Sequence, residues 1–168
     1  MSNNEWKLVE NAKEGDVHAF ARLYEKLYKE LYRFALCFLK NTEMAEDAVS
    51  AAVLKAYENL RKLRKNDSFK SWLFQITANE CRQLLRKQES YLEDTEWEEP
   101  HSSESGFEMP ELKEMFSVLS DDERLVVALS VFGGYTSREI ARMIQKREGS
   151  VRSLKSRALS KLKKYIGE

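Results

Sequence analysis

YTSREIARMIQKREGSVRSLKSRALSKLKK, residues 135–164, holds two helical patterns with a short break between them. The first opens with a capping box: the Thr136 hydroxyl can accept from the Glu139 amide while the Glu139 carboxylate reaches back. Ile140, Ala141 and Ile144 then share one helical face. A break is expected at residues 145–148. In the second pattern Val151, Leu154, Ala158 and Leu162 recur at i, i+3, i+7 and i+11, again one face. Arg152, Ser153, Ser156, Arg157 and Ser160 occupy the opposite face. Small Ala141 allows the second helix to cross the first closely, as a helix-turn-helix requires. A cationic, hydroxyl-rich face is the chemistry that holds phosphates and reads base edges. An amphipathic hairpin packed on a core, its charges merely solvated, has the same pattern. The stretch alone leaves both readings open.

Composition narrows the choice. At 168 residues the chain allows one domain or two small helical ones. Hydrophobic residues at 42% suffice for a core, and 6 Gly with 2 Pro leave little room for a loop-rich β architecture or a glycine-rich phosphate cradle. The start, MSNNEWKL, lacks the basic-then-apolar plan of a signal peptide. The most apolar run, residues 125–132, is too short to span a bilayer. A cytoplasmic protein without membrane insertion is expected. Cys37 and Cys81 sit in helix-like segments and are expected as buried thiols rather than a disulfide.

The formal net charge of +0 argues against a nucleic-acid partner, but the distribution reverses that reading. Residues 53–88 carry about +6, residues 89–114 about −9 and residues 138–168 about +7. Two basic blocks flank an acidic one, and local patches are what a DNA backbone feels.

The remaining segments read as helices. Asp16 is a plausible N-cap for a helix over residues 17–40, with Phe20, Leu23, Tyr24, Leu27, Leu31, Phe34 and Phe38 as its buried stripe. Thr42 can cap the next helix, which buries Ala45, Ala48, Val49, Ala52, Ala56 and Leu60. Residues 62–67 form a short basic loop. Ser68 is the expected N-cap of a helix over residues 69–88, with Phe69, Leu73, Ile76 and Leu84 facing inward. Trp72, Asn79, Arg82, Arg86 and Lys87 add an aromatic face, an amide and cations, a mixture suited to unstacked bases. For Trp72, buried packing is an equally good reading. Residues 89–109 lack periodicity and read as an acidic linker. Pro110 suits the first turn of a new helix, with Leu112, Met115, Phe116 and Leu119 inward. Ser120 and Glu123 form a second capping box, and Gly133-Gly134 ends that helix.

In their order and spacing these segments resemble the extracytoplasmic-function (ECF) class of bacterial RNA polymerase sigma factors. The N-terminal stretches are GDVHAFARLYEKLYKELYRFAL, AEDAV, LKAYENL and SFKSWLFQITANECRQLLRK. The C-terminal ones are LSDDERLVVAL, YTSREIARMI and EGSVRSLKSRALSKL. The resemblance implies an all-α protein of two small helical domains. Residues 1–88 would bind the polymerase clamp and melt the −10 element. Residues 89–109 would be the acidic linker, and residues 110–168 a four-helix domain whose helix-turn-helix binds the −35 element. Glu46, Asp47, Val49, Ser50, Leu54 and Tyr57 are the implied contacts to the clamp of the largest polymerase subunit. The implied −10 residues are Lys65, Asn66, Asp67, Ser68, Phe69, Lys70, Trp72, Asn79, Arg82, Arg86 and Lys87. The implied −35 residues are Thr136, Arg138, Arg152, Ser153, Ser156 and Arg157. The same domain would touch the polymerase flap, and an anti-sigma factor is the expected regulator. No cofactor or metal is implied.

The chain departs from the family pattern in places. Ser50-Ala51-Ala52 stands where a polar or acidic pair is usual. Gln145-Lys146-Arg147 replaces a Gly, an apolar residue and a small N-cap, and Leu154-Lys155 inverts an Arg-Leu arrangement, so that Lys155 must snorkel. Gln83 replaces a usual Asp. Two other functions fit parts of the pattern: an autonomous helix-turn-helix regulator, and a sigma-like helical adaptor without promoter activity. An enzyme fits least, since His18 and His101 lie far apart and no Cys/His group has metal-ligand spacing.

Overall fold

The computed structural model describes residues 2–94 and 110–167, all of whose regular structure is helical. Helix α1 spans Asn3–Lys13, α2 Val17–Leu39 and α3 Thr42–Asn59. Two 3-10 turns, Leu60–Lys62 and Asn66–Ser68, lead into α4, Phe69–Asp94. After residues 95–109, which lie outside the described residues, come α5 (Pro110–Ser117), α6 (Asp121–Phe132), α7 (Ser137–Ile144) and α8 (Glu148–Tyr165).

The caps follow from side-chain chemistry. The Asp16 carboxylate accepts from the His18 and Ala19 amides at 3.0 and 3.2 Å and starts α2. Lys40, in the left-handed region at φ 57°, ends it, its amide donating to the Leu36 carbonyl. The cap of α3 is Asn41 rather than Thr42: its side chain accepts from the Met44 amide at 2.9 Å, and Thr42 is the first helical residue. Ser68 is the last residue of the 3-10 turn that runs directly into α4 at Phe69. Helix α4 continues past residue 88 to Asp94. No Gly or Pro interrupts residues 69–94, and the added turn is rich in residues that tolerate a helix well.

Helix α1 is an element that sequence reading passed over. Ser2 and Glu5 make a reciprocal capping box, the Glu5 amide donating to Ser2 Oγ and the Ser2 amide to Glu5 Oε2. Val9 and Ala12 are buried, and α1 packs on α2 and against both 3-10 turns.

The N-terminal core is α2, α3 and α4. Ala45, Ala48, Ala52 and Ala56 are fully buried along α3, so the neighbouring helices approach without side chains in between. Phe34, Phe38, Phe69, Phe74, Leu31 and Leu73 fill the space above them. Each such side chain stabilises the fold by about 1.5–3 kcal/mol on burial. Cys37 and Cys81 are both buried and unpaired with each other, and burial pushes the Cys37 thiol up to about 12.

The C-terminal helices do not stand apart from this core. Helix α6 packs along α2, and Cys37 shares a cluster with Phe116, Leu119, Val127, Ala158 and Leu162. Arg124 of α6 is 2% exposed. Its Nε donates to the Phe38 carbonyl at 2.7 Å, Nη1 to the Leu119 carbonyl at 3.1 Å and Nη2 to Asp121 Oδ1 at 2.7 Å. The guanidinium also lies 5.5 Å from the Phe38 ring centroid. The Phe38 carbonyl is one of the last in α2, so an arginine 86 residues away satisfies a helix-end acceptor. On the other side of the contact, the Tyr135 ring meets Phe74 edge-on at 5.6 Å.

Candidate nucleic-acid interface

The two basic blocks become two exposed faces. On α8, Val151, Ala158 and Leu162 are buried and Leu154 packs against the core, while Arg152, Ser153, Ser156 and Arg157 are exposed. Lys155 is half-buried, as its inverted position requires. Thr136 caps α7 through the expected box: the Glu139 amide donates to Thr136 Oγ1 at 3.2 Å, and the Thr136 amide to Glu139 Oε2 at 2.7 Å. Arg138 is exposed one residue into the helix. Gln145 takes the left-handed turn at φ 56°, ψ 44°, a conformation costing a non-glycine residue about 1–2 kcal/mol. Arg147 stands at the N-cap of α8 without a side-chain cap bond.

Acidic partners hold parts of this face in place. Arg152 donates to Glu148 at 2.6 Å, and that bond, with the nearby Arg138 and Arg142 charges, holds the Glu148 carboxyl below its usual range. Arg157 Nε lies 3.8 Å from Glu123 Oε1. Glu123 itself is buried and also accepts from Lys161.

The N-terminal face is built on α4 and the turns before it. Lys65 and Asp67 are exposed, and Asn66 and Ser68 half-buried. Lys70 pairs with Glu30 at 3.2 Å and lies 5.9 Å from the Phe74 ring centroid. Trp72 is half-buried with its ring against Phe69, so it serves packing while leaving one side open. Asn79, Arg86 and Lys87 are exposed and Arg82 is half-buried. Phe69 must be removed from the surface set: it is 1% exposed and belongs to the core, where it meets Phe20 edge-on.

A cleft of about 360 Å³ opens between α3 and α4 beside Asn79. Lys55, Lys62, Trp72, Asn79, Glu80 and Gln83 are among its walls. Lys55 Nζ pairs with Glu80 Oε1 across it. Lys55 and Glu80 were missed in the sequence because they pair only once α3 is laid on α4.

The outward face of α3 is a third surface. Glu46, Asp47, Ser50, Leu54 and Tyr57 are exposed, and Leu54, at 58%, is an uncovered large apolar side chain. Tyr57 leans on Phe20 at 5.2 Å between ring centroids. Val49 is 2% exposed and packs inward, so it supports this face without belonging to it. Among the described residues no group of His, Cys, Asp and Glu could hold a metal ion, and no helix is long and apolar enough to cross a membrane.

Two family models match, in the order the faces occur: Sigma-70 region 2 over residues 23–91 and Sigma-70 region 4 over residues 110–162. The RNA polymerase sigma-H factor of Pseudomonas aeruginosa is 28% identical over 95% of this chain and 92% of its own length. The ECF RNA polymerase sigma factor SigM of Mycobacterium tuberculosis is 27% identical over 91% and 80%. Among solved structures, RpoE of Bartonella quintana, bound to the anti-sigma factor NepR, aligns with a TM-score of 0.75 at 24% identity over 89% of this chain and 98% of that one. CnrH, in complex with the cytosolic domain of CnrY, aligns with a TM-score of 0.75 at 22% identity over 98% and 97%. The two basic helical faces are thus those of sigma-70 regions 2 and 4. The chain belongs to the ECF class of RNA polymerase sigma factors, which are transcription initiation factors.

Proposed function

We infer that the protein binds core RNA polymerase, directs it to −10 and −35 promoter elements and assists DNA melting. The observation that carries this reading is the coexistence of two exposed basic faces, on α4 and α8, with an uncovered Leu54 on α3. Glu46, Asp47, Ser50, Leu54 and Tyr57 meet the clamp of the largest subunit. Lys65, Asn66, Asp67, Ser68 and Lys70, with Trp72, Asn79, Arg82, Arg86 and Lys87, take the −10 element. Thr136, Arg138, Arg152, Ser153, Ser156 and Arg157 take the −35 element with α8 in the major groove, and the same domain touches the flap.

Neither small face binds DNA strongly alone; mounting both on one polymerase raises the effective concentration of each for its half of the promoter. Unpaired bases held on α4 stabilise the open strand, so binding energy drives melting and no catalytic step by this chain is required. The acidic residues 89–109 suit a basic channel built for RNA. An anti-sigma factor covering the polymerase-binding surface is the expected regulator. Run-off transcription with core polymerase on a genomic promoter library tests the reading. Initiation from a defined promoter set is the expected result. Polymerase binding with no template initiated would overturn it in favour of a sigma-like adaptor.

A further inference from the structure

Glu80 sits where a phosphate-binding surface normally excludes anions. It follows Asn79 on α4, is 8% exposed, and pairs with Lys55 across the α3–α4 cleft. The walls around it offer several chemistries. Trp72 presents the open side of a half-buried ring, on which a base can stack. Asn79 supplies an exposed amide. Lys55 and Lys62, both exposed, bring positive charge for the strand's phosphates. A carboxylate in this setting repels phosphate and weakens binding, unless the ligand donates a hydrogen bond to it.

An ionised carboxylate has about four acceptor sites, of which Lys55 takes one. Among base edges facing a major groove, cytosine offers its N4 amine as a donor where thymine offers the O4 acceptor. A carboxylate therefore attracts the first and repels the second. The adjoining lysine neutralises the acid before DNA arrives and can turn to a phosphate afterwards, since its side chain is about half exposed.

We propose that Glu80 is a specificity-determining residue of the promoter-reading face: it accepts a hydrogen bond from the N4 amine of a cytosine seated in the α3–α4 cleft, and so selects cytosine over thymine at one promoter position. This rests on α4 being the −10 reader.

The test uses holoenzyme assembled from the full chain and core polymerase, with forked promoter probes carrying each base in turn at every −10 position. At one position cytosine is preferred over thymine by about tenfold, the discrimination of a good base-edge contact. Replacing that cytosine by 2-pyrimidinone, which lacks the amine, abolishes the preference. Glu80→Gln abolishes it at the same position and leaves the other positions unchanged. Preferences elsewhere, with no position sensitive to loss of the amine, overturn the role of Glu80 and leave α4 as the −10 reader. Selection of guanine or thymine at the position that Glu80→Gln affects overturns it equally. Absence of any base preference in the −10 element overturns the reading of α4 itself. Should Glu80→Gln fail to assemble, the amine-deleted probes on the wild-type holoenzyme decide.

Discussion

Lys161 Nζ lies 2.8 Å from Glu123 Oε2, so the carboxylate that closes the capping box of α6 is also tied to α8. Burial alone would raise the Glu123 pKa, but the Lys161 bond and the Ser120 hydrogen bonds outweigh it, and the carboxyl is held below its ordinary value. A carboxyl with a depressed folded-state pKa adds stability above its unfolded value, near 4.3, and loses it as pH falls through the folded value. Thermal melts of the wild-type chain should therefore fall between about pH 5 and pH 3. Glu123→Gln should melt lower at neutral pH and fall less steeply in acid. An unchanged acid slope would exclude Glu123 as the source.

Arg124 is a buried charge whose donors are spent on the Phe38 and Leu119 carbonyls and on Asp121. Arg124→Met keeps much of the bulk but orphans two carbonyls. Each buried unsatisfied acceptor costs about 1–3 kcal/mol. Urea unfolding should show a loss of about 2–6 kcal/mol. A loss under 1 kcal/mol would mean that water replaces the guanidinium.

Leu54→Ala removes an apolar side chain that nothing in the fold covers. Stability should change by less than about 0.5 kcal/mol. Affinity for core polymerase should fall by about 1–2 kcal/mol if Leu54 anchors the contact. Fluorescence titration of core with labelled protein, beside a thermal melt, separates the two effects; equal affinity would remove Leu54 from the interface.

Arg157→Ala should cost about 1–3 kcal/mol of −35 affinity and relax specificity at one base. Its ion pair with Glu123 is long, at 3.8 Å, and its own side chain is largely exposed, so little fold stability is at stake. Binding to a −35 substitution series by holoenzyme gives the answer; a uniform loss at all positions would make Arg157 a phosphate contact instead.

The helical stripes were legible in the sequence because they are local. Phe20 to Phe38 on α2 and Val151 to Leu162 on α8 repeat at helical spacing, and Asp16, Ser120 and Thr136 cap as their residue types dictate. The short, polar α1 was not legible by periodicity, although Ser2 and Glu5 carried its cap signal. For Val49 and Phe69 the resemblance names a contact segment without a direction, whereas helical spacing already puts both on the inward face, and both are buried there. The Lys55–Glu80 and Arg124–Phe38 contacts join residues 25 and 86 positions apart, beyond any local pattern.

The Arg124 contact also sets a length. A compact chain of 168 residues has a radius of gyration of about 15 Å, hence a width of about 40 Å. At about 3.4 Å per base pair, a dozen base pairs match that width. The −10 and −35 elements lie about twice as far apart. On the proposed assignment of α4 and α8 to the two elements, a chain with α6 seated on α2 would reach one element at a time, and reaching both would mean breaking the Arg124–Phe38 hydrogen bond and parting Tyr135 from Phe74. The apparent affinity for a whole promoter is then scaled by the fraction of molecules that have parted. On that assignment, a polymerase that held the halves separate would remove that factor, and the seam between α2 and α6 would make promoter recognition conditional on the enzyme it serves.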